Sequence, residues 1–282
     1  MSNHSQIAEA ISDSYFTPSE SSRWCVDVLK DYGWVSDTTT TLEPCVGAGS
    51  LAKELPGKVI GCDLNDHGYP GVIVGDYLTS DHREVDLVFT NPPFGRMGSL
   101  AIKILNRASQ DAKRVAFILP SSFRKISILD RIDPYLHLVF DGDLPNQNYV
   151  LPDGSVRWVN TCFQMWERRS YRRVLFKNII HYSHYTRRVL PTEAEFAFRT
   201  QGSSAGRVLE GLDYNPATTA FLVGGLDRIR SHDWTTIAKF TAGIPAIGLN
   251  DVALGLSLED KGLDITNYLQ RGAVASLLQS VA

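Results

Sequence analysis

The segment Asn91-Pro92-Pro93-Phe94 places the strongest constraint on how this chain can fold. It follows residues 85–90, a run of mostly apolar, β-branched and aromatic residues that predicts a buried strand of a parallel sheet. Each proline fixes its own φ, lacks an N–H donor and biases the preceding residue toward extended geometry. The predicted strand therefore ends in a stiff turn.

This turn has a chemical consequence. The side-chain oxygen of Asn91 and the carbonyl oxygen of Pro92 can both face one point, beside the aromatic ring of Phe94. Two fixed acceptors next to a ring suit a planar group with an exocyclic NH2, because the acceptors take the amino hydrogens while the ring stacks on the plane. The structural alternative is a turn with two prolines and a core phenylalanine.

Acidic residues follow three predicted strands upstream of this turn. Glu43 ends the first, Asp63 follows residues 59–62, and Asp76 follows residues 72–75. In open α/β sheets, ligands bind outside the carboxyl ends of the strands. Four consecutive strand ends with polar, ligand-type residues therefore predict a binding site along one edge of a sheet.

A Gly-x-Gly turn of Gly47 and Gly49 comes after Glu43, and residues 51–55 are expected to open a helix. Glycines permit a tight turn and close approach of a ligand to the backbone. Asp63 lies 20 residues after Glu43, near the spacing at which a second-strand carboxylate meets ribose hydroxyls in nucleotide-binding folds. The pattern favours a nucleoside-containing ligand.

Together these segments resemble the S-adenosylmethionine-dependent amino-methyltransferases, whose signature is [Asn/Asp/Ser]-Pro-Pro-[Tyr/Phe/Trp]. Tyr15-Phe16-Thr17-Pro18-Ser19 is similar to the Phe-x-Thr-Pro element of that family. Residues 115–123 are similar to the strand ending in Leu-Pro that follows the catalytic motif, and residues 136–140 and 162–166 look like a last, antiparallel pair of strands. An N-terminal Thr-Pro element matches the mostly adenine-specific group of DNA amino-methyltransferases.

The resemblance implies a role for each matched position. The catalytic residues would be Asn91, Pro92, Pro93 and Phe94. S-adenosyl-L-methionine would be bound by Thr17, Pro18, Glu43, Pro44, Gly47, Gly49, Asp63, Asp76, Tyr77 and Asn91. Within that set, Thr17 would contact the methionine end, Asp63 the ribose and Asp76 the adenine amino group, while Tyr77 or Leu78 would cover an adenine face.

The same resemblance implies an α/β fold: a doubly wound, mostly parallel, seven-stranded Rossmann-like sheet with a small C-terminal addition. We expect a catalytic domain over residues 1–169 and a C-terminal region over 170–282, with a helix from about Thr266. Residues 142–158 are rich in turn-forming residues and are interpreted as a substrate-facing loop, with a decorated hairpin as the alternative.

Charge is distributed unevenly along the chain. The formal balance is −7 over residues 1–167, +6 over residues 168–230 and −2 over residues 231–282. Nearly all positive residues of the middle segment are arginines, and aromatic residues are interleaved with them. Arginine binds phosphate bidentately and stacks on bases, so this segment favours nucleic-acid contact. A solvated charged surface is the alternative.

Other classes of protein find little support. No apolar run approaches the roughly 20 residues of a membrane span, and no N-terminal segment has the pattern of a secretory signal. Cys25, Cys45, Cys62 and Cys162 form no Cys-x-x-Cys pair, and no zinc-type spacing is present. We expect a reduced cytoplasmic protein of a prokaryotic or phage-infected cell, without a metal.

The resulting hypothesis is methyl transfer from S-adenosylmethionine to the N6 amino group of adenine in duplex DNA, with the target base flipped out of the helix. The same chemistry on cytosine N4, an RNA base or a protein glutamine is one alternative. A non-catalytic nucleic-acid-binding module that kept the fold is the other.

Overall fold

The computed structural model describes residues 16–260 except 152, 174, 176–183, 240, 242 and 243. The chain divides into two compact units, the first comprising residues up to Pro120 together with Ile132–Arg173, and the second comprising Ser121–Arg131 and the residues from Val174 onward. The boundary at Arg173 lies four residues beyond the expected boundary at residue 169. The internal segment Ser121–Arg131 also belongs to the second unit.

The first unit is built on a seven-stranded sheet. Its strands in chain order are β1 (Thr40–Glu43), β2 (Lys58–Asp63), β3 (Ile73–Val74), β4 (Leu87–Thr90), β5 (Arg114–Pro120), β6 (Leu136–Asp143) and β9 (Thr161–Arg168). They are arranged in the order β3-β2-β1-β4-β5-β9-β6. All neighbours from β3 to β5 are parallel, and β9 is antiparallel to both β5 and β6. The predicted α/β fold class and its last antiparallel strand pair are confirmed.

The central strands are buried on both faces, as their apolar sequences predict. All four residues of β4 and six of the seven residues of β5 are buried. Helix α1 (Ser19–Asp31) turns its face with Cys25, Val26 and Leu29 toward the core. The helix ends at Asp31, and Gly33 follows with a φ of +64°, which allows the N–H of Trp34 to donate to the Leu29 carbonyl oxygen at 2.8 Å.

Two predicted helices are shorter than expected. The helix expected to open at residues 51–55 is one 3-10 turn, Ala52–Glu54, because Pro56 and Gly57 stop it and lead into β2. After the Asn-Pro-Pro-Phe turn, the spacing of Leu100, Ile104 and Ala108 at i, i+4 and i+8 predicts a helix over 97–112, and the structure has α2 (Ser99–Ala108) there. It begins later because Gly95 and Gly98 both have left-handed φ values.

The segment 142–158 contains a β-hairpin. Its strands, β7 (Asn148–Val150) and β8 (Val156–Trp158), form a two-stranded sheet. Val150 also pairs with Phe16 through hydrogen bonds of 2.9 and 3.3 Å between their backbones. The hairpin is thus tied to the N-terminal element that precedes α1.

The second unit contains a four-stranded antiparallel sheet in the order β10-β13-β11-β12. Its strands are β10 (Arg187–Arg188), β11 (Phe196–Arg199), β12 (Val208–Leu209) and β13 (Thr219–Val223), and its helices are α3 (Ile126–Leu129), α4 (Leu226–Arg230), α5 (Thr235–Ala238) and α6 (Leu249–Asp260). The helix predicted from Thr266 lies outside the described residues. Within the part of the chain that the structure describes, no helix has the length and apolar character needed to cross a bilayer.

Candidate functional site

A cleft opens where the sheet reverses its strand order. β1 pairs with β2 on one side and with β4 on the other, which makes the β1/β4 boundary the switch point at which ligands of such sheets bind. The cleft is lined by residues that follow β1, β2, β3 and β4, by the N-terminal element and by α2: Phe16, Thr17, Glu43, Pro44, Cys45, Val46, Gly47, Ser50, Leu51, Asp63, Leu64, Asn65, His67, Gly75, Asp76, Tyr77, Leu78, Asn91, Pro92, Pro93, Leu100 and Ile104.

The turn after β1 is fixed to the end of β2 by Asp63. One carboxylate oxygen of Asp63 accepts the N–H of Gly47 at 2.8 Å, and the other accepts the N–H of Asn65 at 3.1 Å. The N–H of Val46 also donates to the Cys62 carbonyl oxygen at 2.9 Å. Asp63 therefore holds two loops of the cleft in register while its carboxylate lines the cavity, in addition to the ribose role that the sequence predicts.

The two glycines of the turn differ in their surroundings. Gly47 lines the cleft, with φ +52° and the ring of Phe16 3.4 Å from a Cβ placed on it. Gly49 is not among the lining residues: a Cβ there would lie 2.4 Å from the ring of Tyr69, which also comes within 2.6 Å of a Cβ built on Gly61. The absence of side chains at Gly49 and Gly61 thus makes room for Tyr69, and a cofactor contact by Gly49 stays a prediction.

Thr17 and Asn91 come from positions 74 residues apart and meet in the cleft. The Asn91 side-chain nitrogen donates to the hydroxyl oxygen of Thr17 at 3.1 Å. Thr17 itself is buried, because the pairing of Phe16 with Val150 holds the N-terminal element against the cleft. Because this contact orients the amide nitrogen toward Thr17, the acceptor predicted at Asn91 is the other atom of the amide, its side-chain oxygen.

The catalytic motif is divided between the cleft and the core. Asn91, Pro92 and Pro93 line the cleft, while Phe94 does not and its side chain is 8% exposed. Phe94 belongs to the apolar cluster that also contains Leu144, Tyr149 and Phe163, together with others. Its stacking role stays a prediction, and this placement matches the structural alternative for the ring.

The third strand end contributes Asp76, Tyr77 and Leu78 to the cleft. Asp76 is exposed and its carboxylate accepts the N–H of Leu78 at 2.9 Å, which shapes the turn. Tyr77 is buried: its hydroxyl donates to Asp111 at 2.7 Å, and the Arg107 guanidinium lies 5.0 Å from its ring centroid. Burial, and then the hydrogen bond to Asp111, raise the pKa of Tyr77 well above its usual range.

Glu43 is the most unusual charge in the cleft. It is 2% exposed, and its Oε2 atom has no hydrogen-bond partner among the described residues. Burial raises the pKa of Glu43 well above its usual value, a donated N–H from Ala52 lowers it, and the nearby charge of Asp63 raises it further. Burying an ionised carboxylate costs folding free energy when one of its oxygens accepts no hydrogen bond, unless a bound cation or donor contacts that oxygen.

The arginines that begin the basic segment lie away from this cleft. Glu167 pairs with Arg114, the first residue of β5, and the N–H of Arg168 donates to the Lys113 carbonyl oxygen at 2.8 Å. Arg168 and Arg169 are therefore at the amino edge of the parallel strands, opposite the edge that carries the cleft. These two arginines do not line the cleft, and nucleic-acid contact by the basic segment stays a prediction.

Several lining residues were not predicted individually. Phe16 belongs to the N-terminal element that the sequence singled out, and the signal was its place beside Thr17. Leu100 and Ile104 are one helical turn apart on α2, and the sequence predicts no site role for them. His67 interacts with Asp63 across 3.7 Å, and no sequence signal indicates it. Within the described ranges, no cluster of three or more metal-ligating side chains is present.

Comparisons with known proteins give fold-level likenesses only. No family model matches the chain, and no curated protein matches it. A candidate RNA methyltransferase of Pyrococcus horikoshii is 15% identical, covers 56% of this chain and 88% of its own, and has a TM-score of 0.46. The M protein of the type I restriction enzyme EcoKI is 16% identical, with 56% and 44% covered and a TM-score of 0.42.

A type I restriction-modification methyltransferase subunit of Streptococcus thermophilus is also 16% identical, with 60% of this chain and 47% of that chain covered and a TM-score of 0.42. The chain thus spans less than half the length of both restriction-system proteins. With these TM-scores, none of the likenesses adds to what the strand order establishes about the fold.

Proposed function

We propose that this chain transfers a methyl group from S-adenosylmethionine to an exocyclic amino group of a nucleic-acid base, with adenine N6 in duplex DNA as the substrate. The observation that carries the proposal is the meeting of Thr17, Asn91 and Glu43 in one cleft at the switch point of the sheet. The cleft brings the Thr-Pro element, the acidic strand end and the Asn-Pro-Pro-Phe turn together.

The cleft has the polar groups that this cofactor needs. Glu43 has a buried oxygen with no hydrogen-bond partner among the described residues, which fits the cationic methionine end of S-adenosylmethionine. The Asp63 carboxylate lines the same cavity and would accept hydrogen bonds from the ribose hydroxyls. Asp76 and Leu78 follow at the next strand end and would contact the adenine ring of the cofactor. S-adenosylmethionine supplies an already activated methyl group.

The work left to the protein is positioning and electrostatics. The Asn91 amide oxygen and the Pro92 carbonyl oxygen would accept the two hydrogens of the target amine. This favours a pyramidal nitrogen whose lone pair points at the methyl carbon. An amine that accepted the methyl group would gain positive charge, and both acceptors would then bind it more strongly. It then loses one proton to solvent.

Asn91→Ala tests the proposal. The substitution should leave the cofactor Kd within a few-fold, since Asp63 and Glu43 remain, and should lower kcat by about 100-fold or more, the effect of losing one preorganised polar group. Calorimetric titration gives the Kd, and transfer of labelled methyl gives kcat. Thr17→Val should have an intermediate effect on kcat, because it removes the partner of the Asn91 amide nitrogen.

Asn65→Ala is the matched control, because Asn65 lines the same cleft and donates to Asp63 through its backbone N–H. This variant should keep kcat. Duplex DNA, structured RNA and protein are offered in parallel to the wild-type chain. Normal turnover by Asn91→Ala would reject the catalytic assignment, while transfer to RNA or protein alone would reject the substrate and keep the chemistry.

A further inference from the structure

The wall of the cleft at the third strand end has little support from the strand that leads into it. β3 is only two residues long, lies at the edge of the sheet, and both of its residues are exposed. The loop 75–86 connects β3 to β4, and its residues 75–78 line the cleft. Because few contacts of a short edge strand hold such a loop, its position depends on contacts with other parts of the fold.

These contacts converge on Asp111, which lies between α2 and β5 and has a fully buried side chain. One carboxylate oxygen accepts the hydroxyl of Tyr77 at 2.7 Å, and the other accepts the N–H of Arg83 at 3.0 Å. The Nδ1 atom of His82 lies 3.2 Å from this second oxygen. The carbonyl oxygen of Asp111 accepts the N–H of Val85 at 3.1 Å. One residue thus contacts the loop near its beginning and near its end.

Arg107 extends this network to the middle of the loop. One guanidinium nitrogen lies 2.7 Å from the Asp111 oxygen that accepts the Tyr77 hydroxyl. Another donates to the carbonyl oxygens of Ser80 and Asp81 at 3.1 and 3.3 Å. Burial raises the pKa of the Asp111 carboxyl, but the groups that hydrogen-bond to it, Arg107 first, lower the pKa below its ordinary value. The carboxyl group is therefore an ionised acceptor at neutral pH.

Neither Asp111 nor Arg107 lines the cleft, whereas Tyr77 does. An effect of this network on a ligand therefore passes through Tyr77 and the residues next to it. We propose that Asp111 is a positioning residue, which holds the loop 75–86 where its first residues form the wall for the adenine ring of S-adenosylmethionine. A wall that is ordered before binding lowers the entropic cost of binding. This inference rests on the proposed function.

Tyr77→Phe removes the hydroxyl and keeps the ring. The variant should raise the cofactor Kd by about three- to tenfold, the range expected for one lost hydrogen bond. The KM for the cofactor should rise with the Kd, and by more than kcat falls, because Asn91 and Pro92 are unchanged. Calorimetric titration with S-adenosylmethionine gives the Kd, and transfer of labelled methyl gives KM and kcat.

Asp111→Asn tests the acceptor itself. Asparagine has one oxygen and one NH2 group, so one of the two loop donors, Tyr77 or Arg83, would face another donor. The cofactor Kd should rise by about tenfold or more. Combined with Tyr77→Phe, the increase should be smaller than the product of the two separate increases, because both substitutions remove the same hydrogen bond.

Tyr149→Phe is the matched control, because it also removes a buried tyrosine hydroxyl with a partner at 2.7 Å, and Tyr149 does not line the cleft. It should lower the melting temperature about as much as Tyr77→Phe and leave the cofactor Kd unchanged. An equal loss of affinity in this control would overturn the inference, since general destabilisation would then explain the effect.

The wild-type protein separates the inference from the proposed function. If it binds S-adenosylmethionine and both Tyr77→Phe and Asp111→Asn keep the wild-type Kd, the positioning role of Asp111 is rejected and the proposed function is retained. If the wild-type protein does not bind S-adenosylmethionine, the proposed function is rejected, and the inference with it.

Discussion

At the residue scale, Glu43 combines a buried position with a titratable group. The ordinary pKa of such a carboxyl is 4.5, and burial raises the pKa of Glu43 well above it. Folding therefore favours the protonated form. The contribution of the protonated Glu43 carboxyl to the free energy of unfolding is fully present below its unfolded pKa. That contribution is lost as the pH rises through its folded pKa. A cationic ligand has the opposite preference and favours the carboxylate.

We therefore expect the cofactor affinity of the wild-type protein to increase as the pH rises toward and through the raised pKa of Glu43. Binding should release a proton. Glu43→Gln should weaken the affinity, flatten its pH dependence and raise the stability of the ligand-free protein at neutral pH. Calorimetric titration in two buffers of different ionisation enthalpy measures proton release. The same pH profile in both proteins would contradict this role.

At the element scale, the hairpin of β7 and β8 has two different faces. Tyr149 is fully buried, with its hydroxyl 2.7 Å from the hydroxyl of Thr161. On the other face, Val156 and Trp158 are 65% and 60% exposed. Val150 on this same face pairs through its backbone with Phe16, which lines the cleft. The hairpin is thus anchored on one side and presents an apolar surface on the other.

Substitutions on the two faces should have different consequences. Trp158→Ala should leave the melting temperature nearly unchanged and lower methyl transfer or its sequence preference, because exposed aromatic rings stack on bases. Tyr149→Ala should destabilise the fold by roughly 3–5 kcal/mol, the cost of a large cavity. Thermal unfolding and transfer assays on defined duplexes measure both effects. Full activity and an unchanged sequence preference in Trp158→Ala would show that the hairpin does not contact the substrate.

At the scale of the whole molecule, the basic segment divides between the two units. Arg168 and Arg169 belong to the first unit and have acidic neighbours, with Arg168 2.9 Å from Asp133 and Arg169 3.8 Å from Glu167. Arg187 and Arg188 form the exposed edge strand β10 of the second unit. Of the two pairs, the second is the better candidate for contact with phosphates.

Replacing Arg187 and Arg188 together by alanine should weaken DNA binding on all sequences alike. It should also reduce the slope of log K against log salt by up to about two, because each lost phosphate contact releases about one counterion fewer. Fluorescence anisotropy at several salt concentrations gives both quantities. The double substitution of Arg168 and Arg169 is the control and should change neither. If both double substitutions changed DNA affinity and its salt dependence equally, Arg187 and Arg188 would not be the preferred phosphate contacts.

The sequence by itself determined the class of fold and the edge of the sheet that carries the site. Runs of apolar, β-branched residues predict parallel strands, and a polar residue after each run marks the carboxyl ends. Glu43, Asp63 and Asn91 were predicted to share one edge on this basis, and the structure brings all three to one cleft. These features depend on local pattern, which one chain displays without reference to distant residues.

Only the tertiary structure decided which side chains face that cleft. Phe94 and Asn91 are three residues apart, yet packing places the ring in the core and the amide in the cleft. Gly49 faces Tyr69, and Arg168 and Arg169 at the end of β9 lie at the opposite edge because β9 runs antiparallel to β5. Each of these outcomes depends on contacts between residues far apart in the chain, and local preferences of the backbone do not specify such contacts.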